Sequence, residues 1–226
     1  MNNKATEENE PLPVETAKPE LMDQDEVPEA LEFLRENGVA IVVGVLVAVA
    51  GFVGYTIWKN SKAAKVEAAS SLLANSQTAP QFQEIIANYP DTPSAPLAQL
   101  ALAGAYFDEN QFDLAQTTFA QFSEKFPGHA MSPVAELGVA QSLEGLNRYD
   151  EALAAYDNYL TKNPAHFMVP SATFGKARVL EAQQKFAEAK QVYEAFIAAN
   201  PESPWINRAE TGLDFVGKQE RATQAQ

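Results

Sequence analysis

The sequence predicts an all-α protein: a single N-terminal transmembrane helix followed by an α-solenoid of stacked helical hairpins. Three observations carry that prediction. Residues 38–58 form a run of 21 without one charged side chain. Behind the run, Pro90, Pro127, Pro164 and Pro201 follow one another at intervals of 37 residues. Between the prolines the apolar residues repeat in register, and a fixed period in this range is the mark of a stacked repeat array.

From the N-terminus, residues 1–30 are rich in Pro, Glu, Asp and Asn and nearly lack large apolar side chains. Such a segment cannot bury enough surface to offset its ordering entropy and is predicted to be disordered. It has no basic n-region, and 37 residues precede the apolar run, so it does not read as a signal peptide. Residues 31–77 are predicted as juxtamembrane, span and neck. The run itself, GVAIVVGVLVAVAGFVGYTIW, matches the thickness of bilayer hydrocarbon at helical rise. Tyr55 and Trp58 close it, where amphipathic rings favour the interface. Gly44, Ala48 and Gly51 fall on one side of the helix, a candidate face for close packing with another membrane helix. The following KNSKAAKVEAASSLLANS holds neither Gly nor Pro and continues the helix as a neck.

Residues 78–218 are predicted as the repeat domain. Phe82, Phe119, Tyr156 and Tyr193 form one column, and Ile85, Phe122, Tyr159 and Phe196 a second. Ala115, Ala152 and Ala189 form a third, and Phe112, Tyr149 and Phe186 a fourth. Leu102, Ala103, Tyr106, Ala115 and Phe119 precede Pro127 at the spacing of a tetratricopeptide (TPR) unit. Ala140, Leu143, Tyr149, Ala152, Tyr156 and Pro164 repeat it, as do Ala177, Leu180, Phe186, Ala189, Tyr193 and Pro201. Small residues let paired helices approach, and the aromatic that follows fills the gap toward the next unit. Each proline ends a second helix, because it cannot continue one. Three full repeats result, with a degenerate half-repeat (QFQEIIANYP) before them and WINRAETGLDFVGK as a capping helix. Residues 219–226 are predicted to be disordered. The 37-residue period exceeds the usual 34, and the extra residues are assigned to the linker after each proline. A second departure is polar: Gln99, Glu136 and Thr173 occupy a column that is normally aromatic.

The junction EFLRENGVAIVVGVLVAVAGFVGYTIWKNS resembles the YfgM-like family, the ancillary subunits of the bacterial SecYEG translocon. The shared features are an acidic N-terminal segment, a short helix ending on Glu36-Asn37-Gly38, a span closing on Trp58 and TPR-like repeats behind it. The resemblance implies a single-pass protein of the bacterial inner membrane, its N-terminus cytoplasmic and its repeats in the periplasm. Its implied partners are translocon subunits, a periplasmic chaperone or exported chains. The acidic tail is longer and richer in proline than the resemblance implies, and the repeats are cleaner. Lys59, Lys62 and Lys65 crowd the C-terminal flank of the span against Arg35 on the other. Counted by Lys and Arg alone, that asymmetry favours cytoplasmic repeats and opposes the implied topology.

Composition narrows the chemistry. The formal charge is −14, with eleven acids and three bases in residues 1–37, and no basic stripe suits nucleic acid. The absence of cysteine excludes disulfides, thiol catalysis and thiolate metal sites. His129 and His166 stand 37 residues apart, two copies of one loop position rather than converging ligands. No nucleophile elbow, zinc-binding helix or phosphate loop occurs. No cofactor or metal is expected, and the chain reads as a binding protein rather than an enzyme. In a TPR array the first helices of the units line a concave groove. The groove positions here include Leu97, Leu100, Gly104 and Phe107, then Val134, Leu137, Gln141 and Glu144, then Phe174, Arg178 and Glu181. This composition suits an apolar or amphipathic segment better than an anionic tail. Equally, Leu97, Leu100 and Val134 fit packing against the neck. Two functions stay open: an adaptor at the translocon, or a structural scaffold of the cell envelope unrelated to it.

Overall fold

The computed structural model describes residues 26–224, with side chains from 31 to 223. Two units divide the chain, one ending at Lys59 and the other starting at Asn60. In the first, helix α1 (Glu26–Asn75) is already formed at Glu26 and runs without interruption through Glu36-Asn37-Gly38. Two expectations change here. Residues 26–30 are helical rather than disordered, and no short helix ends at Gly38. The lead-in EVPEALEFLREN, with four Glu and two Leu, supplies good helix formers, and a single glycine costs too little to stop the helix. The expected disorder of residues 1–25 lies outside the described residues. Among the described residues, α1 is the one helix long and apolar enough to cross a membrane.

The second unit contains the end of α1 and eight further helices. They are α2 (Ala79–Asn88), α3 (Ser94–Asp108), α4 (Phe112–Lys125), α5 (Ser132–Gly145), α6 (Tyr149–Lys162), α7 (Val169–Ala182), α8 (Phe186–Ala199) and α9 (Ile206–Gln224). Each packs on the next from α2 onward, and α3, α5 and α7 also touch in series. The hairpins α3/α4, α5/α6 and α7/α8 are the three predicted repeats, with α2 the degenerate half-repeat and α9 the cap.

The 37-residue period is visible in the backbone. Helices α4 to α8 are 14 residues long. Three residues join the helices of a hairpin and six join one hairpin to the next. Every hairpin turn contains a residue in the left-handed region: Asn110, Asn147 and Gln184, at φ 58°, 56° and 61°. Around them the N–H of Gln111 reaches Tyr106 O and the N–H of Asn110 reaches Phe107 O, and both bonds recur in the next two turns. Paired 6→1 and 5→2 bonds of this kind satisfy the carbonyls orphaned at a helix end.

The six-residue linkers repeat as closely. A residue before proline is pushed out of the helical region. Tyr89, Phe126, Asn163 and Asn200 accordingly end their helices at φ −131°, −126°, −124° and −136°. Two residues past each proline, Thr92, His129, His166 and Ser203 close a turn onto that same residue. His129 Nδ1 then accepts the N–H of Met131 (3.1 Å), His166 Nδ1 faces that of Met168 (3.3 Å), and Ser203 Oγ accepts that of Trp205 (3.3 Å). The histidines are thus linker residues that lead into the following helix.

The core is one pattern repeated. Ala98, Ala135, Ala172 and Ala209, also 37 apart, are fully buried, as are Ala115, Ala152 and Ala189. Gly138, Gly175 and Gly212 each lie against the aromatic ring of the preceding helix, so that a Cβ would come within 2.6 Å of Phe119, 2.4 Å of Tyr156 and 2.3 Å of Tyr193. The aromatic column thus fills the gap toward the next unit by seating on glycine. The polar column is explained too. Gln99 Nε2 donates to Thr118 O (3.1 Å), Glu136 accepts from Asn163 Nδ2 (2.9 Å), and Thr173 Oγ1 bonds Val169 O within its own helix (2.9 Å).

At the C-terminus the expectation of disorder from residue 219 is corrected, since α9 continues to Gln224. QERATQ holds no Gly or Pro, and Glu220 lies 3.9 Å from Lys190 of α8. In the column where the earlier hairpins turn left-handed stands Arg221, and the helix runs on. Asp214 and Gly217 take the columns of Ala177 and Leu180, which face a partner helix in the unit before. A polar outer face of this kind is what a terminal cap requires.

Candidate functional site

The predicted groove positions lie on α3, α5 and α7, which stack in series and so bring their columns onto one surface. At the α3 end Leu97 is 43 % exposed. Leu100 and Phe107 are half-buried against the first-hairpin core, and Phe107 meets Phe112 edge-on at 5.2 Å. Gln141 is half-buried on α5.

The charged positions are brought together by the fold. Arg178 of α7 grips Glu144 of α5 with two hydrogen bonds, Nε to Oε1 at 2.8 Å and an Nη to Oε2 at 2.9 Å. Tyr156 of α6 donates its hydroxyl to the same Oε2 at 2.5 Å. One hairpin later, Tyr193 donates to Glu181 at 2.8 Å. Bidentate guanidinium–carboxylate pairs are directional and hold their partners in register. Burial, reinforced by the Glu144 carboxylate, raises the Tyr156 pKa well above the usual phenol range. Burial and the hydrogen bond to Glu181 do the same for Tyr193. For Arg178, burial is the largest influence and opposes the charge, but the Glu144 hydrogen bonds together with the charges of Glu144 and the two tyrosines raise the pKa. These side chains tie the units together and offer no unpaired acid–base group.

Two groove positions do not line an accessible surface. Leu137 is fully buried and Phe174 is 2 % exposed. Phe174 packs against Phe196 (5.0 Å), Tyr193 (6.1 Å) and Trp205 (6.3 Å), and the Arg208 guanidinium covers its face. A column that is apolar in three consecutive units is satisfied by the core before any ligand arrives. Gly44, Ala48 and Gly51 line up on one exposed side of α1, with open space where a Cβ on either glycine would stand.

Inspection of the groove columns overlooks the tyrosine–carboxylate pairs, yet the sequence carries the signal. Glu144 and Tyr156 are 12 residues apart, as are Glu181 and Tyr193, whereas the equivalent pair in the first hairpin is Phe107 and Phe119. Where one column turns polar, its partner does too. Arg208, Trp205 and Phe215 were likewise outside the predicted set because α9 reads as a cap. A separate cleft of about 320 Å³ lies between α2, α3 and α4, with Leu114, Tyr106 and Lys125 on its walls.

The hairpin geometry, the αL turns and the small-residue columns define a helical-repeat binding protein. The chain belongs to the tetratricopeptide repeat-like domain family, whose model matches residues 32–214. An ancillary SecYEG translocon subunit of Escherichia coli (strain K12) is 29 % identical over 108 residues, 44 % of this chain and 52 % of that protein. A protein of the same name from Neisseria gonorrhoeae (strain ATCC 700825 / FA 1090) is 28 % identical over 107 residues, 42 % of this chain and 51 % of that protein. The chain spans about half the length of these curated relatives, and their names bear out the resemblance read at the membrane junction. Among solved structures, a Podosopora anserina putative kinesin light chain with TPR-like repeats is 17 % identical at a TM-score of 0.56, covering 72 % of this chain and 87 % of that one. A tetratricopeptide repeat protein of Parabacteroides merdae, also 17 % identical, gives 0.55 over 72 % of this chain and 61 % of its own. These likenesses concern the fold.

Proposed function

We propose that this chain is a membrane-anchored, non-catalytic TPR adaptor of the bacterial inner membrane. It works beside the translocon and assists exported proteins, or the periplasmic chaperones that receive them. The observation that carries this reading is the pair of relatives named as ancillary SecYEG translocon subunits, joined to a chain with both an apolar span and a repeat array. In this reading residues 38–58 cross the bilayer once, the N-terminus is cytoplasmic and the repeats are periplasmic. Leu97, Leu100, Phe107 and Gln141 meet protein segments, while Gly44, Ala48 and Gly51 face a translocon helix.

Site-specific photocrosslinking in cells tests it, with the probe at Leu97, Phe107, Gln141 or Gly51. Labelling of exported chains or a periplasmic chaperone from the repeats, and of a translocon subunit from Gly51, is the expected result. Repeats that label only cytoplasmic proteins, with a silent Gly51, would leave the scaffold function instead. Orientation has its own test because the chain has no native cysteine. A single cysteine at Thr161 should react with an impermeant maleimide in intact spheroplasts, and one at Glu10 only after lysis.

A further inference from the structure

We infer that the α9 end of the A-helix surface is an anchor for a carboxylate carried on an apolar segment of a partner protein. The inference rests on the groove reading above and names what the groove prefers. Arg208 stands in the column of Leu97 and Val134, and Phe215 in that of Gln141 and Arg178. Seven residues separate them, two turns along one face of α9. The Arg208 guanidinium lies 5.2 Å above the Phe174 ring centroid, and the Trp205 ring is 6.3 Å from the same ring. Trp205 and Phe215 are each 46 % exposed, large apolar surfaces on either side of the cation.

The surrounding charges select the ligand. Arg178 is committed to Glu144, Lys176 to Asp157 and Lys218 to Asp214. Glu181 is taken up by the Tyr193 hydroxyl, and the Arg208 charge acts on the same tyrosine. Among the described residues no carboxylate lies within ion-pair distance of Arg208. A guanidinium held over an aromatic face without a carboxylate partner keeps donors for a planar, bidentate acceptor. Exposed Trp and Arg are also residue types on which binding energy concentrates, and Phe is enriched at interfaces. A basic segment would meet like charge here. The occupant is therefore an acidic amphipathic segment. Two helical turns are about 10 Å; side chains on one face of an extended chain recur every second residue, so a leucine four residues from a glutamate, about 13 Å away, shares its face and comes within side-chain reach of that spacing.

Trp58 and Trp205 are the two tryptophans of the chain. In detergent micelles, the full chain with Trp58→Phe therefore reports on Trp205 by its emission. The probe is an extended nonapeptide, Leu-Thr-Thr-Thr-Glu-Thr-Thr-Thr-Leu, which carries the glutamate and both leucines on one face, with Gln and Lys versions as controls. The Glu peptide should bind about tenfold or more tighter than the Gln peptide, the Lys peptide should bind weakest, and added salt should narrow the gap. Arg208→Met keeps an apolar cover on Phe174 and should erase the Glu preference. Arg208→Lys should retain part of it. An unchanged thermal midpoint shows that each variant is folded. Equal binding of Glu and Gln peptides, an Arg208→Met variant with the native preference, or no response of Trp205 to any peptide overturns the anchor. Crosslinks from Gln141 in cells judge the groove separately.

Discussion

Tyr156 is fully buried, with its hydroxyl on a carboxylate that also holds Arg178. Such a phenol cannot ionise without losing both the bond and its surroundings. Unfolded tyrosine releases its proton near pH 10, whereas burial holds Tyr156 and Tyr193 protonated to higher pH. Above about pH 10 the unfolded chain binds fewer protons than the folded one. Stability is complete below that pH and falls as pH rises, by about 1.4 kcal/mol per pH unit for each tyrosine. Denaturant titrations between pH 9 and pH 11.5 should show that slope, and Tyr156→Phe with Tyr193→Phe should flatten it. Gly175 gives a sharper test of packing. Its Cβ would meet the Tyr156 ring at 2.4 Å, and that ring is pinned by Glu144. Gly175→Ala should cost about 1–3 kcal/mol, read as a lowered melting midpoint, whereas Gly104→Ala, where nothing stands within 4 Å, should not destabilise. The aromatic and alanine columns were legible because large and small side chains contrast sharply along the sequence. The glycine column was not, since its meaning depends on a ring 19 residues earlier that only the folded hairpin brings against it.

At the scale of the element, each hairpin depends on one left-handed residue. Asn110 and Asn147 tolerate that conformation, but Gln184 is a side chain that rarely adopts it. Gln184→Gly should stabilise the protein by about 0.5–1 kcal/mol, after the larger chain entropy of glycine is subtracted. Asn147→Gly should gain less. Equal effects at the two sites, measured by chemical denaturation, would show that the turn stores no strain. Helix number, order and pairing followed from the 37-residue columns, and the prolines marked where each second helix stops. Helix ends were harder to see away from the repeat prolines. QERATQ reads as a polar tail until Glu220 is placed beside Lys190, and Glu36-Asn37-Gly38 reads as a stop until an alanine- and valine-rich helix carries through it. The candidate surface was half legible. Its columns lie on α3, α5 and α7, which touch in series, but the sequence does not tell which apolar member the core claims, and Phe174 went to the core.

For the molecule as a whole, the repeat unit beginning at Asn60 is a one-dimensional stack in which every hairpin depends on its neighbour. Phe174, Tyr193 and Phe196 share a buried cluster with Ala209 and Val216 of α9. Deleting residues 206–224 should therefore uncover that cluster and broaden or abolish the cooperative melt. A sharp transition at the native midpoint would mean that α9 is no cap. The same periodicity sets how this protein can change in length. Every linker makes the same turn after its proline, and every hairpin closes on a left-handed residue at the same position. One period is thus interchangeable with another, and lengthening comes in steps of 37 residues. A second copy of residues 132–168, inserted after Met168, should give a folded chain with one more hairpin and a proportionately larger helical signal. Variation among natural chains of this design is expected in the number of hairpins they carry, with spacing held constant.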